Sequence, residues 1–344
     1  MKTLKAFTAA MLPLIFAGHI QTVQAADCDR TCLSRLADEL LDSMVAKKPE
    51  AAPLADQYIS TENGRPAALP MIVQWRTVTA VNDRYYVIDA VTQQLFLISS
   101  INESGSKSLM FGRLKAEDGK LSEIELYTDR SRSDGGFMFD PNGLSNYPQA
   151  WLTDIPADQR ATRKELLEAG LSIFDTAHIS PPGAHECVLM ENGRIVGEDP
   201  EVLQGLMPDA DISTFVRNPD GTVAIPCGGD NPERPTDPKA RTNIIDEEKG
   251  IVISMAIVEG IVYPYLATDP TESAFVPVAM LAPYQNVLKA QREAAASNAP
   301  EVKSMPANEL VAQLHRIYDG KLQGMMMLQY AMPPGAGSIW VDSE

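Results

Sequence analysis

Positive charge is scarce in this chain. Of its 344 residues, 29 are Lys or Arg against 46 Asp or Glu, a formal charge of −17. Such a surface repels phosphate backbones and anionic lipid heads, and no basic stripe overrides it, so nucleic acid is a poor partner. The arrangements that mark common enzymes are missing too. There is no Ser-His-Asp order, no phosphate loop, no dinucleotide fingerprint and no His-rich metal spacing. No cofactor and no metal are therefore expected. Beyond the N-terminus no apolar run is long enough to span a bilayer, which argues against stable membrane insertion. Low-complexity tracts are also absent. What remains is 44% apolar and 22% charged, the composition of a folded protein of about two domains with real cores.

Residues 1–25 read as a signal peptide. Lys2 and Lys5 form a positive start, Ala6 to Ala17 carry no charge, and Val23-Gln24-Ala25 offers small residues at a cleavage site. Cleavage removes those two lysines and no acid, taking the charge from −17 to −19. A periplasmic or secreted location follows as the expectation. Four cysteines remain: Cys28, Cys32, Cys187 and Cys227. An even count in an exported chain favours disulfides. Three pairings are possible, and Cys28 with Cys32 plus Cys187 with Cys227 keeps each pair inside one sequence repeat. A zinc site using His185 is the alternative, without a matching second CxxC half to support it.

That repeat organises the chain. Glu62-Asn63-Gly64-Arg65 recurs as Glu191-Asn192-Gly193-Arg194. Upstream of the first copy, Leu33, Leu36, Leu40, Leu41 and Met44 share a helical face; upstream of the second, Leu166, Leu167, Leu171 and Phe174 do so. Asp29 or Thr31 can cap the first helix, and Thr162 with Glu165 forms a capping box for the second. Downstream, Val87-Ile88-Asp89 is echoed by Ile244-Ile245-Asp246, and each copy closes on a hairpin with an Asp-Gly-Lys turn, at Asp118 and at Asp319. The expected organisation is a first unit over residues 26–130, a Gly/Pro-rich linker over 131–156, and a longer second unit over 157–344. The second unit carries a loop insertion (205–237) and a polar, alanine-rich helix (285–296). The fold class is α+β: two cone-shaped units, each with helices packed on a curved antiparallel sheet.

In Cys28-Asp29-Arg30-Thr31-Cys32-Leu33, Thr61-Glu62-Asn63-Gly64, Arg113-Leu114-Lys115, Glu123-Ile124-Glu125 and the ending Pro333-Pro334 to Trp340, the chain resembles the nuclear transport factor 2-like, or SnoaL-like, superfamily in tandem. More narrowly it resembles secreted fungal and bacterial proteins with two such units and no assigned function. The resemblance implies a small-molecule pocket in each cone. It also implies either cofactor-free isomerase, dehydratase or lyase chemistry from Asp, His, Tyr or Arg side chains, or binding alone.

Strand parity supplies the candidates. Tyr85, Val87 and Asp89 share a face, so Asp89 could serve as a general base and Tyr85 as a hydrogen-bond donor; Asp89 could equally open the turn after its strand. Arg113 alternates with Leu109 and Phe111 and can act as an inward anion or carbonyl clamp. Glu123 and Glu125 read as solvated cross-strand charges. Glu259 interrupts an apolar face running from Ile251 to Tyr263, making Glu259 and Tyr263 the substrate-binding candidates. His315, alternating with Val311, Gln313 and Ile317, is the best-placed imidazole base. The expectation is an exported protein that binds a small hydrophobic ligand, with its units as an intramolecular pseudo-dimer. It acts either as a cofactor-free lyase or isomerase on a hydrophobic or aromatic compound, or as a non-catalytic binding or interaction protein of the cell envelope.

Overall fold

The computed structural model describes residues 28–130, 144, 149–175, 178, 180–195, 241–262 and 305–336. The leader, most of the linker, the 205–237 loop, the 285–296 helix, Cys227 and Tyr263 lie outside the described residues.

Helix α1 spans Arg30–Val45, and all five predicted apolar positions on its face are buried. A fully buried leucine contributes about 2 kcal/mol, so this face alone accounts for the docking of the helix. Asp29 caps it by accepting from Cys32 N at 2.8 Å. The same turn holds the Cys28–Cys32 disulfide, whose Cα atoms are 5.2 Å apart. Cys187 is also disulfide-bonded, to a partner outside the described residues. A short helix α2 covers Gln74–Thr77. Helix α3 spans Arg163–Ser172 and begins with the predicted Thr162–Glu165 capping box. Its buried face differs from the expected one. Leu167 is exposed, while Leu166, Ala169 and Gly170 meet the sheet.

Two sheets follow. The first contains β1 (Leu54–Glu62), β2 (Arg65–Pro66), β3 (Val78–Val81), β4 (Tyr85–Asp89), β5 (Gln94–Glu103), β6 (Ser106–Glu117) and β7 (Lys120–Arg130). The second contains β8 (Gly183–Glu191), β9 (Arg194–Ile195), β10 (Arg241–Asp246), β11 (Ile251–Val262), β12 (Met305–Tyr318) and β13 (Lys321–Met332). The first runs β2-β1-β7-β6-β5, with β3 and β4 both pairing β5; the second runs β9-β8-β13-β12-β11-β10. Apart from β3, which has no counterpart in the second sheet, the two orders match strand for strand. Neither sheet is wholly antiparallel as expected: β1 runs parallel to β7, and β8 to β13. Those partners are far apart in sequence, and only a long intervening connection lets two strands of one chain run parallel.

The recurring Glu-Asn-Gly-Arg element proves to be architecture. Asn63 and Gly64 (φ 53° and 73°), like Asn192 and Gly193 (43° and 85°), form left-handed turns between paired strands, the conformation that Asn-Gly tolerates best. In each copy the asparagine is also tied to the central strand. Asn63 donates its N–H to Leu126 O and accepts from Thr128 N; Asn192 donates to Met327 O and accepts from Gln329 N, all at 2.8–2.9 Å.

The layers run helix, sheet, sheet, helix. One core lies between α1 and the first sheet. A second lies between the sheets, where Phe96, Phe111 and Tyr127 meet Ile253, Leu314, Met326 and Leu328, with Trp151 and Leu144 from the connecting segment. Two smaller clusters lie between α3 and the second sheet.

Candidate functional site

Because paired residues in an antiparallel ladder point the same way, the register resolves each sheet into rungs, and three polar arrangements emerge. The first sits at the strand-end aspartates. Both carboxylates are fully buried. Asp89 accepts from Arg163 in a two-pronged pair at 2.7 and 3.0 Å. It also accepts from the N–H groups of Val91, Thr92 and Ile245 at 3.1–3.2 Å. Asp246 accepts from Arg30 at 2.8 and 2.9 Å and from the N–H groups of Ile88 and Lys249 at 3.1 and 3.2 Å. Hydrogen bonding to Asp89 holds the Arg163 guanidinium above its ordinary value. Burial alone lowers Arg30, but Asp246 outweighs it and the net shift is upward. Asp89 thus opens the turn and anchors an ion pair, with both of its oxygens hydrogen-bonded.

The second arrangement faces the space between the sheets. Its rungs in the first sheet are Gln94–Lys115–Glu123, Phe96–Arg113–Glu125 and Ile98–Phe111–Tyr127. Arg113 is buried and pairs with Glu123, Gln94 Oε1 (2.7 Å) and Glu125 (3.7 Å). The expectation that Glu123 and Glu125 are solvated is overturned, since their side chains are 14% and 2% exposed. They lie on the face turned towards the space between the sheets, paired with Arg113, Lys115 and Tyr127, which parity within one strand cannot reveal. Tyr127 donates to Glu125 at 2.7 Å, and burial followed by that carboxylate pushes its hydroxyl far up. Tyr85 faces the same layer and donates to Leu144 O at 2.8 Å; burial raises it as well. Each of these groups already has a protein partner, so the layer is an internal polar network rather than an open clamp.

The third arrangement lies on the α3-facing side of the second sheet. Its rungs are Val252–His315–Met325, Ser254–Gln313–Met327 and Ala256–Val311–Gln329. His315, Gln313, Ser254 and Gln329 are all buried. Gln313 Nε2 lies 2.9 Å from His315 Nε2, within hydrogen-bonding distance. Gln329 Oε1 has no hydrogen-bond partner among the described residues. Glu309, one rung beyond, is buried on the same side. The surrounding side chains, Val311, Met327 and Phe174, are apolar. Buried polar groups among apolar walls are the usual make-up of a ligand site, with the polar atoms setting orientation.

The equivalent rungs in the first sheet are Leu95–Leu114–Ile124, Leu97–Gly112–Leu126 and Ser99–Met110–Thr128. Sequence reasoning singled out His315 but missed Gln313, Gln329 and Ser254. Aligning the two copies through their Asp-Gly turns sets His315 on Leu114, but it sets Gln313 on Gly112 and Gln329 on Thr128, so those two do not stand out. The four residues expected to be catalytic do not converge. Tyr85, Asp89 and Arg113 face the inter-sheet layer, and His315 faces the opposite side of the other sheet. Glu259 pairs with Asn308 in the β11–β12 ladder, and its side chain and Tyr263 lie outside the described residues. Among the described residues no cluster of three or more His, Cys, Asp or Glu is placed to hold a metal ion, and no helix is long and apolar enough to cross a membrane.

No family model matches the chain, and no curated protein matches it. Among solved structures, a de novo designed protein with a curved β-sheet is similar at 16% identity and a TM-score of 0.26, covering 29% of this chain and 88% of its own. An NTF2-like protein of unknown function from Cytophaga hutchinsonii is similar at 16% identity and a TM-score of 0.23, covering 28% of this chain and 89% of its own. Likenesses of this extent do not assign the chain to a family.

Proposed function

We propose that the protein is an exported small-molecule-binding protein. In this reading two nuclear transport factor 2-like units form an intramolecular pseudo-dimer, and the ligand is taken on the α3-facing side of the second sheet. The observation that carries the reading is the burial of Ser254, Gln313, His315 and Gln329 beneath α3, two of them, Ser254 and His315, where the equivalent rungs of the first sheet hold Leu97 and Leu114. A fold that needed only stability would keep leucine there, since a buried polar group costs about 1–3 kcal/mol unless it is matched. Val311, Met327 and Phe174 around the band suit a small, largely apolar molecule with one or two hydrogen-bonding groups. Disulfides at Cys28–Cys32 and Cys187 support an oxidising compartment.

A second reading, a cofactor-free lyase or isomerase, is favoured only by His315, whose imidazole lies against Gln313 on a buried face. Engagement of Asp89, Arg113 and Tyr85 elsewhere leaves it without the other groups such chemistry uses, so binding is preferred. The test is mass spectrometry of small molecules retained by protein purified natively, compared with a His315→Leu/Gln313→Leu variant. Binding predicts a retained compound that the folded variant loses. A wild-type protein that retains nothing, or a variant that retains the same compound, sinks the proposal. Conversion of the compound on incubation would promote the lyase or isomerase reading.

A further inference from the structure

The ion pairs at the strand ends cross between the halves. Asp89 ends β4 of the first half, yet it holds Arg163, the first residue of α3, and the N–H of Ile245 in β10. Asp246 ends β10 of the second half and holds Arg30, the first residue of α1, and the N–H of Ile88 in β4. Each helix is anchored by the opposite half, in mirrored chemistry.

We infer that Asp89 is a positioning residue for the candidate ligand site of the second half, acting through Arg163 on α3. The helix has 10 residues, too short to hold its own geometry in water, so its placement depends on what it touches. It touches the polar rungs directly. Ser254 donates to Gly170 O at 2.8 Å. At Gly170 the backbone lies so close to the sheet that an added Cβ would stand 2.7 Å from Val252 and 2.9 Å from Ser254 Oγ. Val252 and Ser254 are the rung partners of His315 and Gln313. A shift of the Arg163 end of α3 therefore moves one wall of the site. The Arg30–Asp246 pair is equivalent in chemistry and burial but anchors α1, which covers the leucine-rich layer of the first sheet. Two like anchors thus serve unlike layers, and only one reaches the ligand face. Two-pronged buried pairs fix geometry more than they add net stability, which suits this role.

The experiment is hydrogen–deuterium exchange on the full chain, comparing Asp89→Asn with Asp246→Asn. Asparagine preserves size and loses the charge. In Asp89→Asn, exchange in α3 rises about tenfold or more while α1 keeps its wild-type rate; Asp246→Asn gives the converse. The retained small molecule is lost only from Asp89→Asn, a readout that a general loss of stability would move equally in both. Equal acceleration of both helices in either variant, or an unchanged α3 in Asp89→Asn, overturns the inference. If the asparagine variants do not fold, Arg163→Lys and Arg30→Lys carry the same contrast from side chains that are 29% and 25% exposed. The inference rests on the binding reading for its retention arm alone. If wild-type protein retains nothing, that reading fails while the exchange contrast still decides the anchor.

Discussion

The two halves share a strand order and differ in where they put their polar side chains. In the first, the helix-facing rungs are Leu95–Leu114–Ile124 and Leu97–Gly112–Leu126, and the charged groups Arg113, Glu123 and Glu125 lie between the sheets. In the second, the inter-sheet rungs are Ile253–Leu314–Met326 and Met255–Ala312–Leu328, and the polar groups lie beneath α3. A duplicated scaffold has two equivalent layers to spend on function. Here one copy has leucine-rich helix-facing rungs, with Ser99 and Thr128 at one end, and carries an internal ion network, while the other carries a hydrogen-bonding band. In the proposed function the first half is the scaffold and the second carries the ligand face.

Exchanging residues between equivalent rungs breaks this contrast most directly. Leu114→His places an imidazole in a layer built of leucine and is expected to cost about 4 kcal/mol, from lost packing and an unmatched polar group. The matching His315→Leu is expected to leave stability within about 1 kcal/mol of wild type. Urea unfolding of the two variants measures the difference, and equal losses would erase the distinction between the layers.

A smaller effect probes what the halves share. Asn63→Ala and Asn192→Ala each remove a side-chain bond to the central strand and leave alanine at positive φ. Each is expected to cost about 2 kcal/mol, and the two losses should agree closely. Thermal melts settle this, and a large disparity would show that only one turn matters.

The smallest effect is a pH dependence confined to the first half. Burial alone raises the Glu103 carboxyl, but Arg130 at 2.6 Å, followed by Ser108 and Thr77, outweighs it and holds the group below its usual 4.5. A depressed folded value means stabilisation that is present above the unfolded value of 4.5 and lost as pH falls through the folded one. Glu103→Gln should therefore lower stability at neutral pH and flatten its decline on acidification, as followed by urea midpoints across that range. The equivalent position in the second sheet is Gly260, paired with Ala307 as Glu103 is with Ser106, so no matching acid limb arises there.

Legibility followed the range of the forces involved. The α1 face, the helix caps and the Asp-Gly hairpin turns at Asp118 and Asp319, whose φ values are 52° and 51°, were readable because each depends on residues within a few positions. Strand parity put Arg113 on an inward face, but parity cannot say what lies across from that face. Glu123 and Glu125, expected in solvent, are instead buried beside Arg113 on the face turned towards the other sheet. Asp89 was legible as a turn opener, while its hold on Arg163, 74 positions away, was not. Gln329 carried no signal of its own, because its meaning comes from standing opposite Val311.

The chain by itself determined the repeat, the α1 face, the Asn-Gly and Asp-Gly turns and the paucity of cationic surface, since these are properties of composition and short-range spacing. Only the tertiary structure decided which polar residues are buried, which layer they occupy and which half anchors which helix. Burial and ion pairing depend on surfaces brought together from distant segments, and one-dimensional periodicity gives a side chain's face without its neighbour.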